Sequence, residues 1–131
     1  MVTERLVAAA NAHDLEALVA CFDADYVLEM PVHPGRNFRG TAQVRKNWEQ
    51  FFALIPDISV SLLRVARDGD VEWSEQEMRG TRRDGSVHHM LGVIIFGTRA
   101  DRIVWARFYL EPVDTGSSTI DDAVRTATGA R

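Results

Sequence analysis

Three turn signals between Asp57 and Pro112 cut the second half of the chain into four strand-length pieces, and no other feature constrains the fold as tightly. Ile58 to Arg67 alternates in polarity and ends at Asp68-Gly69-Asp70, a hairpin signal. Val71 to Arg79 supplies a second strand, closed by Arg83-Asp84-Gly85. Val87 to Phe96 is the third and Ile103 to Leu110 the fourth, joined by a polar connection around Arg99 and Asp101 and ended by Pro112. Short turns between successive strands predict an antiparallel meander.

The first half reads as helix. Thr3 is placed to cap a helix that runs on through the alanine-rich stretch Leu6 to Ala12. Asn11, His13 and Asp14 interrupt it, and Asp14 can cap a second helix with Leu15, Leu18, Val19 and Phe22 on one stripe. Tyr26 to Met30 predicts a short strand, stopped by Pro31 and followed by a loop with Pro34 and Gly35. Thr41 then caps a helix whose Val44, Trp48, Phe51, Phe52 and Ile55 form the strongest apolar stripe in the chain, ended by Pro56. Three helices and a strand followed by a meander give an α+β fold. One domain is expected over residues 1–112. A polar tail, 113–131, follows it, in which Ile120, Ala123, Val124 and Ala127 have the spacing of one short amphipathic helix.

With 131 residues the chain has a single-domain length. Fifteen basic against nineteen acidic residues leave a charge of -4, which gives no strong phosphate-binding field and argues against a nucleic-acid partner. Cys21 stands alone, so neither an intramolecular disulfide nor a thiolate zinc site is expected; a half-buried structural thiol is. Glu4, Arg5, Asn11 and Asp14 break up the N-terminal stretch, and no apolar run approaches the ~20 residues of a membrane span. The cytoplasm is the expected location, without membrane contact. His88 and His89 are neighbours in a strand, so their rings point oppositely and a shared metal is not expected; nor is a cofactor.

Asn11-Ala12-His13-Asp14-Leu15-Glu16-Ala17-Leu18, Phe38-Arg39-Gly40 before a helix, Asp68-Gly69-Asp70, and Asp101-Arg102-Ile103 opening the last strand occur in an order that resembles the nuclear-transport-factor-2-like superfamily. The resemblance covers roughly residues 2–112, and within the superfamily the chain looks most like SnoaL-like proteins, relatives of ketosteroid isomerase and limonene epoxide hydrolase. It implies a cone: a bent antiparallel sheet wrapped around three N-terminal helices, with an apolar cavity open at one end and dimers common. A steroid-isomerase-like site needs a carboxylate base, a phenol and a protonated carboxylic acid. The positions matched to them are Met30, Leu6 and approximately Gly92. An epoxide-hydrolase-like site needs an Asp–Arg–Asp network, and those positions read Met78, Gln76 and Phe108. Neither chemistry is expected.

Strand parity gives the rest of the candidate site. Val104, Ala106, Phe108 and Leu110 form one wholly apolar set, opposed by Trp105, Arg107 and Tyr109. Similarity to the epoxide hydrolases places Gln76 and Met78 inside, which leaves Glu75 outside, within reach of Arg107. The expected cavity lining is Met30, Trp48, Gln76, Met78, His88, Met90, Ala106 and Phe108, with His33 near the mouth. His88 shares the parity of Met90, although a one-residue shift in that hairpin would exchange it with His89. His88 and His33 are the candidates for general acid–base work near neutral pH. Two functions stay open: a cofactor-independent isomerase, cyclase or hydrolase acting on a small apolar substrate, or a non-catalytic protein that binds or senses a hydrophobic metabolite. The outer face, with Trp73, Glu75, Glu77, Arg79, Trp105, Arg107 and Tyr109, reads as a polar homodimer interface.

Overall fold

In the computed structural model, which describes residues 1–130, the helical half comprises α1 (Val2–Asn11), α2 (Leu15–Val19) and α3 (Thr41–Leu54), with β1 (Phe22–Glu29) and β2 (Phe38–Arg39) between α2 and α3. Four longer strands follow: β3 (Ser59–Asp68), β4 (Val71–Thr81), β5 (Val87–Arg99) and β6 (Arg102–Pro112). A last helix, α4 (Ile120–Thr128), exposes Ile120 and Val124 and buries no residue. One sheet carries the strands in the order β2-β1-β6-β5-β4-β3. The meander from β3 to β6 is antiparallel throughout. At its third turn two non-glycine residues, Ala100 and Asp101, hold φ of 51° and 61°, a conformation that L side chains adopt at a cost. The Arg5 guanidinium donates to the Asp101 carbonyl there.

The first strand departs from expectation. It begins at Phe22 rather than Tyr26, pairs antiparallel with the two-residue β2, and lies parallel to β6, with Leu28 opposite Ala106. The sheet is therefore antiparallel except along this one seam. Register shifts between Phe22 and Val27, Leu62 and Arg64, and Gly97 and Thr98 are places where a sheet bends.

Two expected caps are corrected. Thr3 lies inside the first turn of α1, and its N–H and hydroxyl are satisfied by the buried Glu72 of β4. Thr41 is the first helical residue of α3; Gly40, at φ 82°, precedes it and makes no side-chain cap. Asp14 does cap α2, accepting from the Ala17 N–H at 3.0 Å. The Asn11 side chain clamps the edge of β3, accepting from Val60 N–H at 2.7 Å and donating to Val60 C=O at 2.9 Å. Cys21 is fully rather than half buried.

The helices cover one face of the sheet, α1 against β3 and α3 against β1. Leu18, Phe96 and Ile103 are each completely buried at their junction, and burial of such a side chain stabilises by about 1.5–3 kcal/mol. Val44 of α3 and Ile55 just beyond its end are buried, but Trp48, Phe51 and Phe52 are only half buried. Phe51 reaches the ring of His88 on β5, and beside this contact Trp48 and Phe51 border an open space between α3 and the sheet. On the outer face, Arg107 pairs with Glu29 at 2.9 Å and Glu75 approaches Arg64 at 3.8 Å, so the expected Glu75–Arg107 pair does not form. Register is the reason: Arg107 stands opposite Ile95 and Glu29, whereas Glu75 stands opposite Val93 and Arg64. Among the described residues no helix is long and apolar enough to cross a membrane.

Candidate functional site

The space between α3 and the inner face of the sheet is a cavity of about 470 Å³. Its wall is built by alternation. On β4, Glu72, Ser74, Gln76 and Met78 point inward, and on β5 His88, Met90, Ile94 and Phe96 do so, while Trp73, Glu75, Glu77 and His89 occupy the other face. Trp48 and Phe51 of α3 form the facing wall, in edge contact with each other at 5.2 Å.

Seven of the residues expected at the cavity line it: Met30, Trp48, Gln76, Met78, His88, Met90 and Phe108. Ala106 does not. It is buried in the layer beneath, in register with Leu28 on one side and Phe96 on the other, and those two larger side chains reach the cavity over it. His33 is also outside the lining. Its Nε2 lies 2.8 Å from Oε1 of Glu111, which fixes the ring against the end of β6.

His88 has few partners. Its Nε2 sits 3.3 Å from the thioether sulfur of Met78, a weak acceptor, and its ring is tilted against Phe51 with centroids 5.9 Å apart. Burial first, then the charges of Arg82 and His89, hold its pKa below the ordinary histidine value, so the ring is neutral at pH 7. His89, on the outer face, is bound to Glu77 at 2.7 Å. Gln76 donates from Nε2 to the Ser74 hydroxyl at 2.9 Å, and that hydroxyl donates to the Ile94 carbonyl at 3.2 Å, leaving the Gln76 carbonyl oxygen as an acceptor.

Residues matched by resemblance to catalytic groups do reach the cavity: Leu6, Met30, Gln76, Met78 and Phe108 all line it. None is ionisable. Gly92 has no room for any side chain, because a Cβ there would lie 2.2 Å from the Tyr109 carbonyl oxygen. Among the described residues no carboxylate lines the cavity. Nor do three metal-ligating side chains cluster anywhere among them.

Sequence reasoning missed a polar arc of the lining, made by Arg36, Asn37, Gln43 and Asn47, and a buried phenol, Tyr26. Gln43 donates to Asn47 at 2.7 Å, and Asn37 accepts from the Met30 N–H at 2.7 Å. The amides at 43 and 47 are one helical turn apart, beside the apolar stripe of α3; that spacing was the available signal. Arg36 is the one permanently charged side chain in the lining.

A family model described as a SnoaL-like domain matches residues 3–106. The chain belongs to the SnoaL-like domain family. Its fold recurs in an epoxide hydrolase of Mycobacterium tuberculosis described as limonene-epoxide-hydrolase-like, at 16% identity and a TM-score of 0.74, over 98% of this chain and 94% of that one. A protein from Catenulispora acidiphila with a ketosteroid-isomerase-like fold, solved with trimethylamine, has 19% identity and a TM-score of 0.71, covering 82% of this chain and 84% of its own. The Mycobacterium tuberculosis protein RV0760c, solved with estradiol-17beta-hemisuccinate, has 18% identity and a TM-score of 0.71, with 82% and 89% covered. No curated protein matches the chain.

Proposed function

We propose that this SnoaL-like protein is a cytoplasmic homodimer that holds a small, largely apolar organic molecule in the cavity without transforming it. One observation carries the reading: no position matched to a catalytic group of the two related enzymes carries a side chain that can move a proton, and the only hydrogen-bond partner of the His88 ring among the described residues is a thioether. A general acid or base works best when a second polar group orients it, and the partner that the His88 ring has is the Met78 sulfur. Met30, Met78 and Met90 supply a pliable apolar wall suited to a ligand of irregular outline. Trp48, Phe108 and Gln76 complete the contacts, with Gln76 offering an acceptor. The small ligands held by two of the fold neighbours agree with a binding role.

The second reading is an isomerase, cyclase or hydrolase with His88 as acid or base. It is favoured by the neutral imidazole on the cavity wall, whose ring nitrogen is held by nothing stronger than sulfur. His33, tied to Glu111 outside the lining, is the second acid–base candidate of that reading. Native mass spectrometry of freshly purified protein tests binding and assembly together. A co-purified small molecule on a dimer supports the proposal. A compound recovered chemically altered after incubation with wild type, but unaltered with His88→Gln, would replace it with the enzyme reading.

A further inference from the structure

Tyr26 of β1 is 1% exposed, with its ring packed edge-on to Phe22 at 4.6 Å and to Phe38 at 6.0 Å. Its hydroxyl makes no hydrogen bond to any described residue, yet no fully buried side-chain nitrogen or oxygen among them lacks a partner. The hydroxyl is therefore not sealed into the core. Tyr26 is one of the residues that line the cavity. Burial pushes its phenol well above the usual tyrosine range, so the group is a protonated donor at any physiological pH. A phenol in apolar surroundings without an acceptor costs free energy that one bound oxygen recovers.

We propose that Tyr26 donates a hydrogen bond to a carbonyl oxygen of the bound molecule, which makes the ligand a ketone, ester or lactone on an apolar frame and not a plain hydrocarbon. The inference rests on the binding role proposed above and adds the ligand's polar group to it. It is separate from the phenol that the family resemblance implies, whose matched position is Leu6 on α1. A carbonyl is the fitting partner because it accepts without bringing a donor of its own into an apolar wall.

The test uses two probes of nearly one shape, 2-acetonaphthone and 2-isopropenylnaphthalene, titrated calorimetrically into wild type and Tyr26→Phe. The variant is expected to bind the ketone about fivefold more weakly, the usual worth of one net hydrogen bond, and the hydrocarbon as well as wild type does. Because each probe is compared between proteins, their different hydration cancels. The carbonyl stretch of ¹³C-labelled 2-acetonaphthone should lie lower in wild type than in Tyr26→Phe. Equal loss for both probes, no loss for either, or an unchanged stretch overturns the proposal while leaving the cavity a binding site. If neither probe binds wild type, the binding role falls and this inference with it. Tyr26→Phe should also melt at the wild-type temperature; a clear drop would mean that the hydroxyl serves the fold, and would overturn the proposal too.

Discussion

The carboxylate of Glu72 on β4 accepts hydrogen bonds from both the hydroxyl and the backbone N–H of Thr3, at 2.7 and 3.1 Å, so a strand residue caps the first helix of the chain. Both groups are buried, with Thr3 at 0% and Glu72 at 5% exposure. Glu72→Ala leaves two buried donors unpaired and should cost about 1–3 kcal/mol. Glu72→Gln keeps an acceptor and should cost less. Urea denaturation of the three proteins gives the ranking; equal midpoints would show that the cap adds nothing.

His88 makes stability depend on pH. Its folded pKa lies below the unfolded value of about 6.5. Between those two values the unfolded chain binds the extra proton and the folded one does not, so unfolding is favoured as pH falls through that window. The His88 contribution is intact above about 6.5 and declines below it. Melting temperature should drop between pH 7.5 and 5.5, and His88→Gln should flatten that part of the profile. A ring NMR titration of His88 at or above the ordinary value would contradict the sign.

Gly92 tests whether a carboxylic acid could be restored at the position matched to the isomerase acid. A Cβ there meets the Tyr109 carbonyl oxygen at 2.2 Å and the Leu110 Cα at 2.9 Å, all backbone. Gly92→Ala must spread β5 from β6 and should lower the melting temperature by at least about 5 °C. Gly35→Ala, with nothing within 4 Å of its new Cβ, is the control and should melt as wild type does. Gly92→Asp should yield no isomerase, because the strand pair fails before the carboxyl is placed.

The outer sheet face leaves Trp73 49% and Leu91 38% exposed, and Trp105 lies flat over Gly97, where a Cβ would fall 1.9 Å from its indole nitrogen. Sedimentation at micromolar concentration should give twice the mass of the chain. Trp73→Glu should return it to the mass of one chain and lower the melting temperature by no more than the loss of association explains, since within a single chain the side chain is half in water already. Arg107→Glu should act in part through the monomer, by placing like charges beside Glu29. A wild-type monomer would sink the dimer.

What was legible in the sequence was local. Asp68-Gly69-Asp70 and Arg83-Asp84-Gly85 announce turns because few other residues take a positive φ cheaply, and both glycines do so here, at 59° and 86°. Parity then carried His88 and Met90 to the cavity, because a strand between two known turns has only two faces, whereas the mixed alternation of β4 decided nothing and family resemblance placed Gln76 and Met78 there. β2 has two residues and no period to detect. The parallel seam of β1 with β6 joins segments about eighty positions apart, and nothing in either predicts the other. Ala106 failed for a related reason: parity gives direction but not depth, and depth was set by Leu28 and Phe96 on the neighbouring strands.

That parallel seam has a bearing on how the protein comes into being. As the chain leaves the ribosome, β1 emerges early and waits beside the short β2 until the last strand has been made. Until then the aromatic stripe of α3 faces no opposing wall, and an early fragment holds no chamber at all. The cavity takes Leu6 from the first helix and Leu110 from the last strand, so a product cut short before the end of β6 has no complete cavity. Any molecule that binds the cavity would stabilise only a chain folded through β6, by an amount that grows with its concentration over its dissociation constant.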